Sequence, residues 1–268
     1  MLTQLGSRSV TANTMVRTSN SLISIGFLLL VIIGGIVLWK LQAPHQETAQ
    51  TAQMRQTNPD EPPLLLKGIG VTLAEYDPAT NKAGDFVFTK QKLQFDRIWM
   101  DYAFSIPASS TGAAKRNPQP TFILPLGTQV RALVDGIVVD IPKLYSGDYS
   151  VMVAPDMNSR WRYETEHVIN PTVKIGDRVA AGQVVAEVSD YDSRNTPGFG
   201  LVEIGILKGG NPPQHLCPFQ YLDPSIQDDT RRNIRDLYRA WETYRGQSDL
   251  YDETVELVGC LTTKIVDG

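Results

Sequence analysis

With 268 residues, 42% of them apolar and both charge signs interspersed, the chain can bury one substantial core, which excludes an intrinsically disordered class. Only four of the 25 basic and three of the 29 acidic residues precede Pro63, so the remainder carries 21 positive against 26 negative side chains. That acidic balance argues against nucleic acid or another polyanion as the main ligand, because such binding rests on clustered Lys and Arg.

The longest apolar run, Leu22 to Trp39, contains no charged residue. At 1.5 Å of rise per residue it covers roughly 27 Å, close to the hydrocarbon thickness of a bilayer. The run predicts a transmembrane signal anchor over 21–40, behind a cytoplasmic N-terminus over 1–20. A cleaved signal peptide is the rival, but the run exceeds a usual signal core and no clear Ala-x-Ala site follows it. Arg8 and Arg17 precede the span, whereas Lys40 at its exit is followed by a polar stretch with Glu47, which favours a C-terminus outside. Residues 41–63 turn to Gln, Thr, Ala, Asn and Pro and read as a flexible linker.

From Leu64 to Pro107 the strand candidates are GDFVFTK and RIWMDYAFSIP, and the small, polar, Pro-rich stretch Ala108 to Pro120 reads as an exposed loop. A dense series follows: TFILP, TQVRALV, GIVVDIP, YSVMVAP, WRYETEHV, QVVAEVS and GLVEIGILK, punctuated by Gly and Asp-Gly turns. Short strands without alternating helices predict a mainly β chain, with a compact antiparallel domain over 64–224. Beyond Pro224, Ile234, Leu237, Tyr238, Trp241 and Tyr244 recur at helical steps, giving an amphipathic helix in a C-terminal appendage over 225–268. Ser225 is placed to cap its start and Gly246 to end it. Cys217 and Cys260 fall on the outer side, where a disulfide is allowed. It would close 44 residues, worth about 4 kcal/mol in the chain-entropy model; two unpaired buried thiols are the alternative.

Two stretches carry a family resemblance. PLGTQVRALVDGIVVDI, Pro125 to Ile141, resembles a Gly-Thr-x-Val strand leading into an Ala-x-x-Gly-x-Val hairpin. YETEHVINPTVKIGDRVAAGQVVAEV, Tyr163 to Val188, resembles a Tyr-x-His-Leu segment followed by Val-Lys-x-Gly-Asp-x-Val-x-x-Gly-Gln-x-Ile. Both are similar to the lysostaphin-type (M23) peptidoglycan peptidases, and with GLVEIGI they cover about Arg97 to Gly210. The Gly-Asp-x-Val turn also occurs in lipoyl, biotinyl and efflux-adaptor barrels, but neither a carrier lysine signature nor a long helical hairpin is present.

The resemblance implies a duplicated-hybrid-motif β-domain. In active members zinc is held by a His-x-x-x-Asp motif and the second His of His-x-His, leaving one position open for an activated water. The first motif maps here onto Arg97 to Asp101, and the second onto Phe199, Gly200 and Leu201, so both histidines of the latter are replaced. Arg97 offers only donors and cannot ligate. His167 matches the family histidine that contacts water or substrate. The catalytic candidates are therefore Asp101 and His167, the binding candidates His167, Arg97 and Phe199, and the metal candidates Asp101 and His215; Glu203 is expected to be structural.

The expected protein is a non-catalytic relative that needs no cofactor. It is expected in the bacterial inner membrane as a single-pass protein, with its C-terminal domain periplasmic or extracellular. Its expected partners are the membrane, peptidoglycan and envelope proteins such as wall hydrolases. The alternatives are an active zinc metallohydrolase with a site rearranged onto Asp101, His167 and His215, and an adaptor subunit of an envelope transport complex.

Overall fold

The computed structural model describes residues 58–108, 113–191 and 196–267. The helix expected over 21–40 and most of the linker lie outside the described residues, within which no helix is long and apolar enough to cross a membrane. In chain order the strands are β1 (Lys82–Ala83), β2 (Phe86–Val87), β3 (Trp99–Met100), β4 (Ser105–Ile106), β5 (Lys115–Arg116), β6 (Thr121–Pro125), β7 (Gln129–Arg131), β8 (Gly136–Asp140), β9 (Tyr149–Ala154), β10 (Trp161–Ile169), β11 (Arg178–Val179), β12 (Val184–Val188), β13 (Phe199–Lys208), β14 (Gln214–Leu216) and β15 (Val266–Asp267). Eleven of them form one sheet in the order β11-β8-β9-β10-β13-β14-β15, with β6 joining β3 to β13 and β12 joining β7 to β10. The ribbons β1–β2 and β4–β5 stand apart from that sheet, and every named strand pair is antiparallel.

The ten-residue strand β13 organises the fold, because it is paired by β10, β6 and β14. Its pleat sends Val202, Ile204 and Ile206 to one face, where all three are fully buried. Leu201, Glu203 and Leu207 go to the other face and line a groove. Cross-strand register carries both faces sideways: Trp99, Phe122 and Val202 stand in one row, and Met100, Thr121, Glu203 and Glu166 in the next. The first row belongs to an aromatic core, with Trp99 and Phe122 ring centroids 4.2 Å apart and Phe219 5.5 Å from Trp99.

Helix α1, Pro224–Arg245, buries Ile234, Leu237, Tyr238 and Trp241, as the three- and four-residue spacing predicts. The Trp241 indole meets Phe88 edge-on and donates to the Asp96 carbonyl at 2.9 Å. The cap differs from expectation. Asp223, not Ser225, is the N-cap, and its carboxylate accepts from the Ser225 amide at 2.9 Å. Pro224 takes the first helical position, where its missing N–H costs nothing, so the start moves toward the N-terminus. Gly246 ends the helix in the left-handed region, at φ 68°. The segment after Pro224 shares the domain core rather than a core of its own, and β15 returns to pair with β14. Cys217 and Cys260 form a disulfide that ties this returning tail to the end of β14.

Candidate functional site

The polar face of β10, β13 and β6 floors a groove of about 520 Å³. Each carboxylate is placed by pleat alternation: Glu164 and Glu166 from β10, Glu203 from β13, with Glu166 directly opposite Glu203 and Glu203 opposite Thr121. His167 breaks the alternation. A register irregularity between Thr165 and Val168, with φ 57° at His167, turns its imidazole toward the groove instead of the core. There Nδ1 lies 2.9 Å from Asp148 Oδ2 and the ring stacks on Tyr191 at 4.2 Å and 5°. Burial works against ionisation of Asp148, but hydrogen bonds from Ser146, Ser189 and His167 outweigh it and hold the carboxyl below its usual range.

At Glu203, Glu164 and His215 burial dominates and favours the neutral form. Burial pushes Glu203 up to about 7, the charge of His167 opposing and that of Glu166 adding to the rise. Glu164 is raised chiefly by burial and then by Glu166, although the Ser150 hydroxyl donates to it and the Gln119 amide donates at 3.0 Å. His215, opposite Leu207 and on its face of the sheet, is lowered to about 4 by burial and is therefore neutral near pH 7.

Asp101 and Arg97 do not share this groove. Asp101 follows Met100 in the pleat and lies on the core side, where the Tyr238 hydroxyl of α1 donates to its carboxylate. Burial raises it to about 6, with the Tyr238 hydrogen bond and the nearby Arg97 opposing. The Arg97 guanidinium stacks over Phe104 and Tyr251, at 4.9 and 4.8 Å from the ring centroids. The expected pairing of Asp101 with His167 and His215 is thus not assembled, because the pleat puts Asp101 on the opposite face of the sheet. Arg97, a binding candidate in the sequence, likewise lies outside the groove lining. Phe199 sits at the end of β13 beside Leu201, lining a small cavity with Gln94 and Tyr191.

Instead, Asn117 and Thr121 stand on the groove at the same four-residue spacing as His-x-x-x-Asp. The stretch 108–120 was expected to be an exposed loop, yet Asn117 and Gln119 are each 2% exposed. Their amides are satisfied inside: Asn117 Nδ2 donates to Thr121 Oγ1 at 2.8 Å, and the Thr121 hydroxyl donates to Glu203 Oε1 at 2.8 Å. The signal available in the sequence was distance to the Pro125-Leu126-Gly127-Thr128 turn, which β6 links to Thr121 without interruption.

Asn117, Thr121 and Leu201 do not fit a catalytic zinc ion. Leucine has no donor atom, and the threonine hydroxyl is engaged on both sides by Asn117 and Glu203. Among the described residues no group of three His, Cys, Asp or Glu side chains is disposed to hold a metal. The position corresponding to the middle of His-x-His is closely constrained: a Cβ on Gly200 would fall 1.8 Å from the Ser189 carbonyl oxygen.

No family model and no curated protein matches the chain. Among solved structures it is similar to the catalytic domain of EnpA, a prophage-encoded M23 protein of Enterococcus faecalis, at 26% identity over 44% of this chain and 85% of that one, TM-score 0.34. The catalytic domain of lysostaphin from Staphylococcus simulans gives 20% identity over 41% and 79%, TM-score 0.34. A chain of the SpoIIQ–SpoIIIAH pore-forming complex gives 14% over 60% and 96%, TM-score 0.34. The hairpin motifs of the sequence, Pro125 to Ile141 and Tyr163 to Val188, resemble those of the lysostaphin-type (M23) peptidases.

Proposed function

We propose that this is a zinc-free, non-catalytic relative of the wall peptidases that binds an extended peptide of the bacterial envelope in its groove. The peptide belongs to peptidoglycan or to an envelope protein such as a wall hydrolase that it regulates. The observation that carries the reading is the chain of hydrogen bonds from Asn117 through Thr121 to Glu203, which engages these groove-floor side chains with one another. Such a network fixes three polar side chains in place without an ion, leaving the groove open for a ligand. The uncharged run Leu22 to Trp39 supports a single-span anchor in the cytoplasmic membrane, with the domain held outside by the linker.

The test is elemental analysis of the purified full-length chain after zinc loading and dialysis. A zinc content indistinguishable from a metal-free control protein is the expected result. About one zinc per chain, lost in Asp101→Ala or His167→Ala, would overturn the reading and restore the metallohydrolase. Co-sedimentation with purified wall sacculi then separates a wall ligand from a protein partner.

A further inference from the structure

The groove is unbalanced in its hydrogen-bonding groups. Glu164, Glu166 and Glu203 bring three carboxylates to it, against Lys115 alone among the Lys and Arg residues of its lining. At the opposite end His215 is 4% exposed, shares the groove face with Leu207, and its Nδ1 makes no hydrogen bond among the described residues. A neutral imidazole protonated on Nε2 presents that nitrogen as an acceptor. An acceptor left unpaired in a buried position costs stability unless a donor arrives. Two tyrosines flank the carboxylate end: Tyr191 over His167, and Tyr145, 89% exposed, with its hydroxyl 3.2 Å from that of Tyr191. Carboxylates and tyrosine rings lining one groove are a chemistry suited to a primary ammonium, which offers three donors and no acceptor.

We infer that the groove recognises an extended peptide bearing a side-chain primary ammonium, the ammonium seated at Glu166 and Glu203 and a backbone N–H of the same peptide reaching His215. The spacing agrees with this. Leu207, the neighbour of His215, lies four positions along β13 from Glu203, which is roughly 13 Å or the reach of about four extended residues. Glu164 is already held by Ser150 and Gln119, so it shapes the floor, whereas Glu203 accepts from Thr121 through one oxygen. The inference rests on the binding-module reading and specifies its ligand class. A lysine of a protein segment and the diamino acid of a wall stem peptide share this chemistry.

The experiment is isothermal titration of the full-length chain, in non-ionic detergent, with the blocked tetrapeptide acetyl-Ala-Ala-Lys-Ala-amide and its norleucine counterpart. The lysine peptide is expected to bind at least about tenfold more tightly, the scale of hydrogen bonds to charged groups. In Glu203→Gln, and separately in Glu166→Gln, that preference is expected to shrink toward unity, with a retained cooperative thermal transition showing that the variant is folded. His215→Phe is expected to weaken both peptides alike. A stem peptide containing a diamino acid, titrated beside them, tells the two sources apart by which binds more tightly. Equal affinity for the lysine and norleucine peptides, or no heat from the lysine peptide at millimolar concentration, overturns the inference. Either result leaves the zinc-free reading standing, because that reading falls on metal content, which this titration does not measure.

Discussion

Asp101→Asn separates a buried structural carboxylate from a metal ligand. Asp101 is 3% exposed, and burial raises its carboxyl from 3.8 to about 6 in spite of the Tyr238 hydroxyl and Arg97. Because the folded value lies above the unfolded one, the folded chain holds the proton more tightly, and the associated stability is complete below pH 4. It is lost as pH rises through 6. A shift of two units corresponds to about 3 kcal/mol, most of it lost between pH 4 and 7. For a chain of this size that is roughly 5 to 10 °C in melting temperature. Thermal unfolding followed by tryptophan fluorescence at pH 4, 5, 6, 7 and 8 should therefore show the difference between wild type and Asp101→Asn change by this amount. Glu164 and Glu203 are raised as well and give both proteins a shared downward slope, so the difference is the quantity that reports Asp101. Parallel profiles would refute the assignment of Asp101 to a desolvated core position. A melting temperature that rises with zinc in wild type and not in the variant would refute its structural role outright.

Further perturbations test other parts of the fold. Replacing Cys217 and Cys260 by Ala together releases a 44-residue loop and should cost about 4 kcal/mol, read as a lower urea midpoint that reductant reproduces in the wild type. Gly200→Ala puts a methyl group 1.8 Å from a backbone carbonyl that cannot turn aside; a loss of more than about 2 kcal/mol in the same assay is expected. Trp241→Ala empties the contact between α1 and Phe88 and should cost about 3 to 5 kcal/mol, whereas Asp223→Ala removes only a cap and should cost about 1 kcal/mol.

Much of the fold was legible because its strands announce themselves locally. TFILP is β6 over its whole length, and GLVEIGILK is β13 but for Phe199. The aromatic spacing after Pro224 gave the helix and its buried side, although a proline at the first helical turn shifted the cap. What the sequence concealed were short pairings whose register is fixed only in three dimensions, such as β14 with β15 at the two sides of the disulfide. His167 was visible as a motif residue, yet its direction depends on a bulge that periodicity cannot indicate.

The Arg97-to-Asp101 assignment failed for a related reason. A four-residue spacing containing one retained aspartate is persuasive in text, but in a strand the pleat decides which side of the sheet each residue serves. Met100 faces the groove, so Asp101 faces the helix. Asn117 and Thr121 lacked any ligand chemistry to advertise them, and the prolines and polar residues around Asn117 matched an exposed loop. Their burial follows from mutual hydrogen bonding, a property of the pair and of Glu203 rather than of either residue alone. In this chain Glu203, raised by burial, and Glu166 face a groove whose lining holds Lys115 alone among the Lys and Arg residues, the feature that a cationic peptide would answer.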